Sequence, residues 1–298
     1  KTMKSGYGYE KILLDYADLP SSFPFLPCYD HGLSFEDIPS RNSTLSHLSN
    51  TYLCWGKRIF ENIKKKTNKK PVIIGAPFLI YKNKNNIIKR TQKKTLFFTS
   101  HSTDKISQNI GPKEIDEMIS KIDNCYKPVD LCLHWNDYLK EKDIYEKMGY
   151  NVFTAGKVFN NNFVKNFYDI ITNYEFTMSN KLGTYILFSL DLEIPFSLIG
   201  QEPIYYNHSG DKNKPKSYKI TDYESGRRAT KLFYGLNNKI SEDQKKFSIL
   251  ETGKDNIINK EQLCKILKNE FLDSFHSKRG IKSLSKNIAK SFYLQIFK

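Results

Sequence analysis

Residues 129–154 read VDLCLHWNDYLKEKDIYEKMGYNVFT, and this stretch decides the fold class. Val129-Asp130-Leu131-Cys132-Leu133 is a short, mostly apolar run of the length a buried strand needs. A charged helix opens at Asn136 and ends near Gly149, a residue type that closes helices. Asn151-Val152-Phe153-Thr154 then reads as the next strand. A strand, a helix and a strand in this spacing predict a βαβ unit and a parallel sheet.

The alternation continues on both sides. Upstream, Thr95-Leu96-Phe97-Phe98-Thr99 reads as a buried strand, followed by helical spacing from Lys113 to Asn124 with Ile115, Met118, Ile119 and Ile122 on one face. Downstream come a helix from Asn161 to Ile171, a strand at Glu175–Met178, a helix from Lys181 to Leu190 and a strand at Ile194–Ile199. Right-handed crossovers put the helices on both faces of such a sheet. Ligands then bind beyond the carboxyl ends of the strands. The segments 100–103, 134–137, 154–157, 179–184 and 200–203 are therefore where chemistry is sought.

The first 90 residues are less regular. Phe25–Tyr29 and Pro71–Ala76 read as strands, and Thr51–Ile63 as a helix. Residues 82–94, KNKNNIIKRTQKK, read as a basic linker. Beyond Gln201 a polar loop and then helices are expected.

Composition narrows the class. Hydrophobic residues at 39% and aromatics at 14% exclude a disordered chain. Net charge of +15 attracts phosphate in any form, whether nucleic acid, anionic lipid or nucleotide-sugar. Five cysteines without a CxxC pair argue against a disulfide framework or a zinc site, and are read as belonging to a reducing cytoplasm. No apolar run is long enough to span a membrane, and no signal-peptide pattern is read at the start. P-loop, GxGxxG, GxSxG and HExxH patterns are absent.

Five segments carry residues suited to chemistry. Ser179-Asn180-Lys181-Leu182-Gly183-Thr184 joins a strand to a helix. It suits a phosphate at a helix N-terminus, with Gly183 allowing close approach, and suits a plain N-cap equally. Ser100-His101-Ser102-Thr103 follows a strand, and His101 can donate to a phosphate or protonate a leaving group. Asp30-His31-Gly32 offers two groups able to take a proton from a hydroxyl, or is a simple turn. His134-Trp135-Asn136-Asp137 offers a stacking ring and a cap, and the structural reading is the stronger for both. Glu202 suits ribose hydroxyls or a surface loop.

Five stretches taken in order carry a resemblance. They are YDHG at 29–32, VIIGAPFLIY at 72–81, FFTSHST at 97–103, NVFTAGKVFNNNFV at 151–164 and SNKLGTYILFSLDLEIPFSLIG at 179–200. Together they resemble bacterial surface-polysaccharide proteins of the GT-B glycosyltransferase superfamily, related in outline to capsular ulosonic-acid transferases and teichoic-acid glycerophosphotransferases. The resemblance covers roughly residues 25–205. It implies an α/β, GT-B-like fold with two Rossmann-like domains facing a cleft, the C-terminal one built on a parallel sheet. The expected divisions are an acceptor-side domain at 1–91, a nucleotide-sugar-binding domain at 92–205 and a helical segment at 206–298 that packs back or faces the membrane.

The resemblance also implies transfer of a sugar from a nucleotide donor to a glycan or lipid-linked glycan, without metal or other cofactor. Donor binding falls to Ser100, His101, Ser102, Thr103, Ser179, Asn180, Gly183, Thr184 and Glu202, and the base is Asp30 or His31. In this chain His101 is followed by Ser, where bacterial sialyltransferases typically have a His-Pro pair. A glycerophosphotransferase on the same fold is the alternative. A non-enzymatic nucleic-acid binder is a further one, disfavoured because no recognition motif of the common modules appears. Residues 278–298, KRGIKSLSKNIAKSFYLQIFK, are expected to form a basic amphipathic helix for an anionic membrane surface, or one packed back on the fold, in a cytoplasmic, peripheral protein.

Overall fold

The computed structural model describes residues 6–36, 49–103, 105–209 and 216–276. The basic C-terminal segment 278–298 lies outside the described residues.

The chain opens with helix α1 (Tyr9–Tyr16), then strand β1 (Cys28–Tyr29), β2 (Thr51–Cys54), α2 (Lys57–Lys66), β3 (Lys70–Ile73) and α3 (Pro77–Lys84). The three strands make a parallel sheet in the order β1-β2-β3. Here the expected helix over Thr51–Ile63 is corrected. Thr51 to Cys54 are buried throughout and paired on both sides, which suits a central strand. Gly56 separates strand from helix, because a Cβ there would meet the Leu250 carbonyl oxygen at 2.1 Å.

A second alternation follows: β4 (Lys93–Phe98), β5 (Ile106–Gln108), α4 (Pro112–Ser120), β6 (Val129–Cys132), α5 (Trp135–Lys147), β7 (Val152–Phe153), α6 (Phe163–Ile171), β8 (Tyr174–Ser179), α7 (Tyr185–Asp191) and β9 (Phe196–Leu198). Five of these strands form a parallel sheet ordered β7-β6-β4-β8-β9. The 82–94 stretch is only partly a linker: α3 runs to Lys84 and β4 begins at Lys93. Between them Arg90 and Gln92 donate backbone N–H groups to the Thr172 and Asn173 carbonyls, both at 2.7 Å.

The polar loop expected at 208–217 lies mostly outside the described residues; β10 (Tyr205–Asn207) and β11 (Lys216–Tyr218) flank it and form an antiparallel sheet with β5 in the order β11-β10-β5. Helices α8 (Glu224–Phe233), α9 (Glu242–Thr252) and α10 (Lys260–His276) complete the described chain. Residues 251–270 return to the first sheet. Ala76 donates to the Thr252 carbonyl at 2.8 Å, Ile258 to the Ile74 carbonyl at 3.2 Å, and Ser49 Oγ to Glu270 Oε2 at 2.6 Å.

One apolar core joins the two parallel sheets. Trp55 packs edge-on between Tyr9 and Phe78, and Phe78 stacks on Phe188 of α7 with ring centres 4.0 Å apart. Asp191 at the end of α7 accepts from Lys82 at 2.7 Å and Lys254 at 2.8 Å, pinning α3 and the segment after α9 to the second sheet. Among the described residues no helix is long and apolar enough to cross a membrane.

Candidate functional site

In the five-stranded sheet the order reverses between β4 and β8. At such a switch point the loops leaving the two strands turn apart and open a crevice at the carboxyl edge. The β4 loop brings Thr99, Ser100 and His101 there, and the β8 loop brings Ser179, Asn180 and Lys181. Neighbouring β6 adds His134 and Trp135.

The two imidazoles of His101 and His134 stack at 4.7 Å between ring centres. Lys181 lies close enough to act on both. Its charge, then burial and His134, hold His101 well below the ordinary imidazole range. Burial first and Lys181 second lower His134 to about 4. Lys181 is itself lowered to about 8 by burial, against the opposing pull of Asp137. Both imidazoles are therefore neutral at pH 7 while Lys181 keeps most of its charge. Among the described residues Lys181 makes no salt bridge. Its Nζ lies 4.9 Å from the ring centre of Tyr205 on β10.

Among the described residues, three buried polar atoms on these elements have no hydrogen-bond partner: Thr99 Oγ1, His134 Nδ1 and the Tyr205 hydroxyl. Buried polar atoms are nearly always satisfied, so orphans on the strands and loops that meet at one sheet edge mark a place where a ligand can supply the missing bonds. Beside them Trp135 lies under Lys157, 5.5 Å from its ring centre. Asp137 is buried, which raises its carboxyl, and it accepts from the Ser102 backbone N–H at 3.1 Å.

The residues expected from sequence divide sharply. His101 enters the crevice with no side-chain hydrogen bond among the described residues. Ser100 and Asn180 tie the two loops together: the Ser100 N–H donates to Asn180 Oδ1 at 3.1 Å, and Asn180 Nδ2 to Ser100 Oγ at 3.3 Å. Ser179 is fully buried, donates to the Phe98 carbonyl at 2.6 Å and accepts from the Lys181 N–H at 3.1 Å. Gly183 makes room for the Tyr185 ring, whose Cε1 would lie 2.7 Å from an added Cβ. Helix α7 begins only at Tyr185, so residues 181–184 stand outside the helix expected to start there.

Thr184 Oγ1 accepts from the Leu33 N–H at 2.9 Å and touches the space above Gly32, bringing the 29–33 loop onto this edge. Thr103 closes its own turn, accepting from Lys105 and Ile106 N–H groups at 3.3 and 3.1 Å. Ser102 contributes its N–H to Asp137. Glu202 accepts from the Thr221 N–H and hydroxyl at 2.9 and 2.5 Å, which occupies the carboxylate expected to meet ribose.

Asp30 is built into the fold. It is 3% exposed, with Oδ1 accepting from the Tyr52 hydroxyl at 2.8 Å and Oδ2 from the Trp55 N–H at 2.9 Å. Burial lifts its carboxyl to about 6 despite those bonds. His31 is exposed and makes no hydrogen bond among the described residues.

Lys181, His134, Thr99 and Tyr205 were not singled out from sequence as ligand-binding. Lys181 sits inside the SNKLGT stretch, which was read for its hydroxyls and amide, and His134 inside HWND, which was read as a helix start. An open depression at the opposite, amino edge of the sheet, lined by Lys93, Asp130, Asn151 and Tyr174, has its polar groups paired with one another.

No protein-family model and no curated protein matches the chain. Among solved structures the chain is similar to the wall teichoic acid polymerase TagF, at 12% identity and a TM-score of 0.33. The match covers 83% of this chain and 58% of the polymerase, so the chain spans less than two thirds of that relative. A likeness of that size leaves fold and function to rest on the chain's own residues.

Proposed function

We propose that this chain is a glycosyltransferase that binds a nucleotide-activated sugar by its phosphate at Lys181 and transfers the sugar to a surface glycan. The observation that carries the reading is a desolvated ammonium that forms no ion pair among the described residues, beside two stacked, neutral imidazoles at the switch point of a parallel sheet. An anion there offsets the Lys181 charge that helps depress His101 and His134, and favours the charged form of Lys181 that burial disfavours. It also supplies acceptors to donors that have none. The order of the YDHG, FFTSHST and SNKLGT stretches supports the transferase class, as the resemblance to GT-B proteins implies.

In the reaction, negative charge grows on the leaving phosphate as the sugar–oxygen bond breaks. Lys181 meets that charge, and a neutral imidazole N–H of His101 or His134 donates to it. The growing charge is met by Lys181 and by neutral N–H donors, so the reading calls for no metal. The acceptor approaches from the 29–33 loop, which Thr184 docks onto the same edge. A lipid-linked glycan at the cytoplasmic face of a membrane is the proposed acceptor.

The test is thermal unfolding with CMP, CDP, UDP and GDP, for the wild type and for Lys181→Met. A nucleotide at about 100 times its Kd stabilises by roughly 2.7 kcal/mol. Loss of a charge-assisted contact of about 1.5–3 kcal/mol weakens binding by tenfold or more in the variant. If none of the four stabilises the wild type, the reading is wrong. If CDP binds and a CDP-polyol serves as donor where CDP- and UDP-sugars do not, the enzyme is a polyol-phosphate transferase on the same site.

A further inference from the structure

The first unit touches the carboxyl edge of the five-stranded sheet at two points. At one, the Tyr7 N–H donates to the Val158 carbonyl at 2.5 Å in the loop after β7, and Gly8 (φ +74°) leaves no space for a Cβ against the Asn161 backbone at 2.6 Å. At the other, the Leu33 N–H meets Thr184 in the loop after β8. At the first of these contacts stands a hydrogen-bonded pair of side chains, Tyr29 and Glu10. Tyr29, at the end of β1, donates its hydroxyl to Glu10 Oε1 at 3.4 Å and accepts from the Gly6 N–H at 3.3 Å.

Glu10 is partly buried, and among the described residues it forms no salt bridge. A desolvated carboxylate with one long hydrogen bond costs stability, and such groups concentrate at sites that use them. The two neighbours named by sequence serve less well. Asp30 has both oxygens taken by Tyr52 and Trp55, and His31 is exposed with nothing to orient it.

We propose that Glu10, oriented by Tyr29, is the general base that takes the proton from the acceptor hydroxyl. The inference rests on the transferase reading above. The acceptor O–H proton passes to a Glu10 carboxylate oxygen as the acceptor oxygen bonds to the donor's sugar carbon. The bond from that carbon to the phosphate oxygen breaks, and its electron pair stays on the phosphate, facing Lys181. Burial raises Glu10 to about 7 while the Tyr29 hydrogen bond pulls the other way. Half of it is therefore ionised near neutrality, the poise that suits a base. Among the described residues the titratable group that acts on it is Tyr29 on β1; Tyr7 and Tyr9, on its own segment, are raised by burial and so neutral.

The experiment measures nucleotide binding, then nucleotide release from CMP-N-acetylneuraminate, CDP-glycerol and UDP-N-acetylglucosamine with glycerol as acceptor, across about pH 6 to 8. It compares the full wild-type chain with Glu10→Gln and Tyr29→Phe. In the wild type, release rises with pH through the neutral range. Glu10→Gln keeps its nucleotide Kd, loses about 10²–10⁴-fold in release and loses the pH limb. Tyr29→Phe removes the bond that lowers Glu10, so its limb moves to higher pH. Release by Glu10→Gln at the wild-type rate, or with the wild-type limb intact, overturns the assignment while nucleotide binding leaves the transferase reading standing. A parallel fall in melting temperature and release with the limb retained makes Glu10 merely structural and overturns it too. No nucleotide binding, or no release by the wild type from any donor, defeats the transferase reading and this inference with it.

Discussion

Replacing Asp30 by Asn separates a carboxylate built into the fold from one that does chemistry. The Asp30 carboxyl is held at about 6 by burial. In the unfolded chain an Asp titrates near 3.9. An acid whose folded value is the higher one holds its proton more tightly in the folded state. Folding therefore takes up a proton between about pH 4 and 6, and Asp30 contributes less stability as pH rises through that interval. The span corresponds to about 3 kcal/mol. Asn cannot titrate, so Asp30→Asn lacks this slope. Its single oxygen also accepts from only one of Tyr52 and Trp55, a pH-independent loss of about 1–3 kcal/mol. Urea unfolding followed by tryptophan fluorescence at several pH values gives the difference between the two proteins. Glu10 and Glu141, both raised to about 7 mainly by burial, act in the same direction in each and cancel. The advantage of the wild type should shrink by about 3 kcal/mol from about pH 4 to 7. A difference that stays flat, or grows with pH, refutes the assignment of Asp30 to the interior.

Other perturbations have equally definite outcomes. Ser179→Ala with Thr184→Val should lower stability by about 2–3 kcal/mol and leave nucleotide Kd unchanged, because both hydroxyls bond to protein; unfolding and titration calorimetry measure the two effects. Phe188→Ala removes the ring stacked on Phe78 and should cost about 3–5 kcal/mol in urea unfolding. Asp191→Ala strands Lys82 and Lys254, but their side chains are 20% and 50% exposed and rehydrate, so the loss should fall below the ~3–5 kcal/mol of a fully buried pair. Nucleotide affinity should fall as pH rises past about 8, where Lys181 loses its proton, and Lys181→Met should show no such limb.

The parallel sheet was legible because each strand of the second alternation is a short apolar run and each helix an amphipathic one, so Thr95–Thr99, Val129–Leu133 and Glu175–Met178 fall on β4, β6 and β8. Residues 51–63 misled because a fully buried strand and the helix after it share apolar residues, and only the Leu250 carbonyl pressed on Gly56 marks the break. Strands β10 and β11 were invisible: three residues each, half-polar, β10 exists through pairing with β5 about a hundred residues earlier and β11 through pairing with β10. At the site, local sequence reveals which residues lie at strand ends but not which have free polar atoms. Ser179, Asn180 and Glu202 look like ligand donors until their protein partners are known, and Lys181 looks like any surface lysine until its desolvation and its effect on two imidazoles are known.

The most direct test of a donor phosphate at the switch point is the long-range proton–nitrogen spectrum of the histidine rings, recorded as CDP or another stabilising nucleotide is added. His101 and His134 stack beside Lys181, whereas His31 and His208 lie on other segments, with His208 bonded to Ser107 at 2.8 Å. The account predicts that the ring nitrogens of His101 and His134 shift together on saturation, that their titration moves to higher pH as the phosphate offsets Lys181, and that Lys181→Met abolishes the change. Saturation by nucleotide with the His101 and His134 signals unmoved would contradict it.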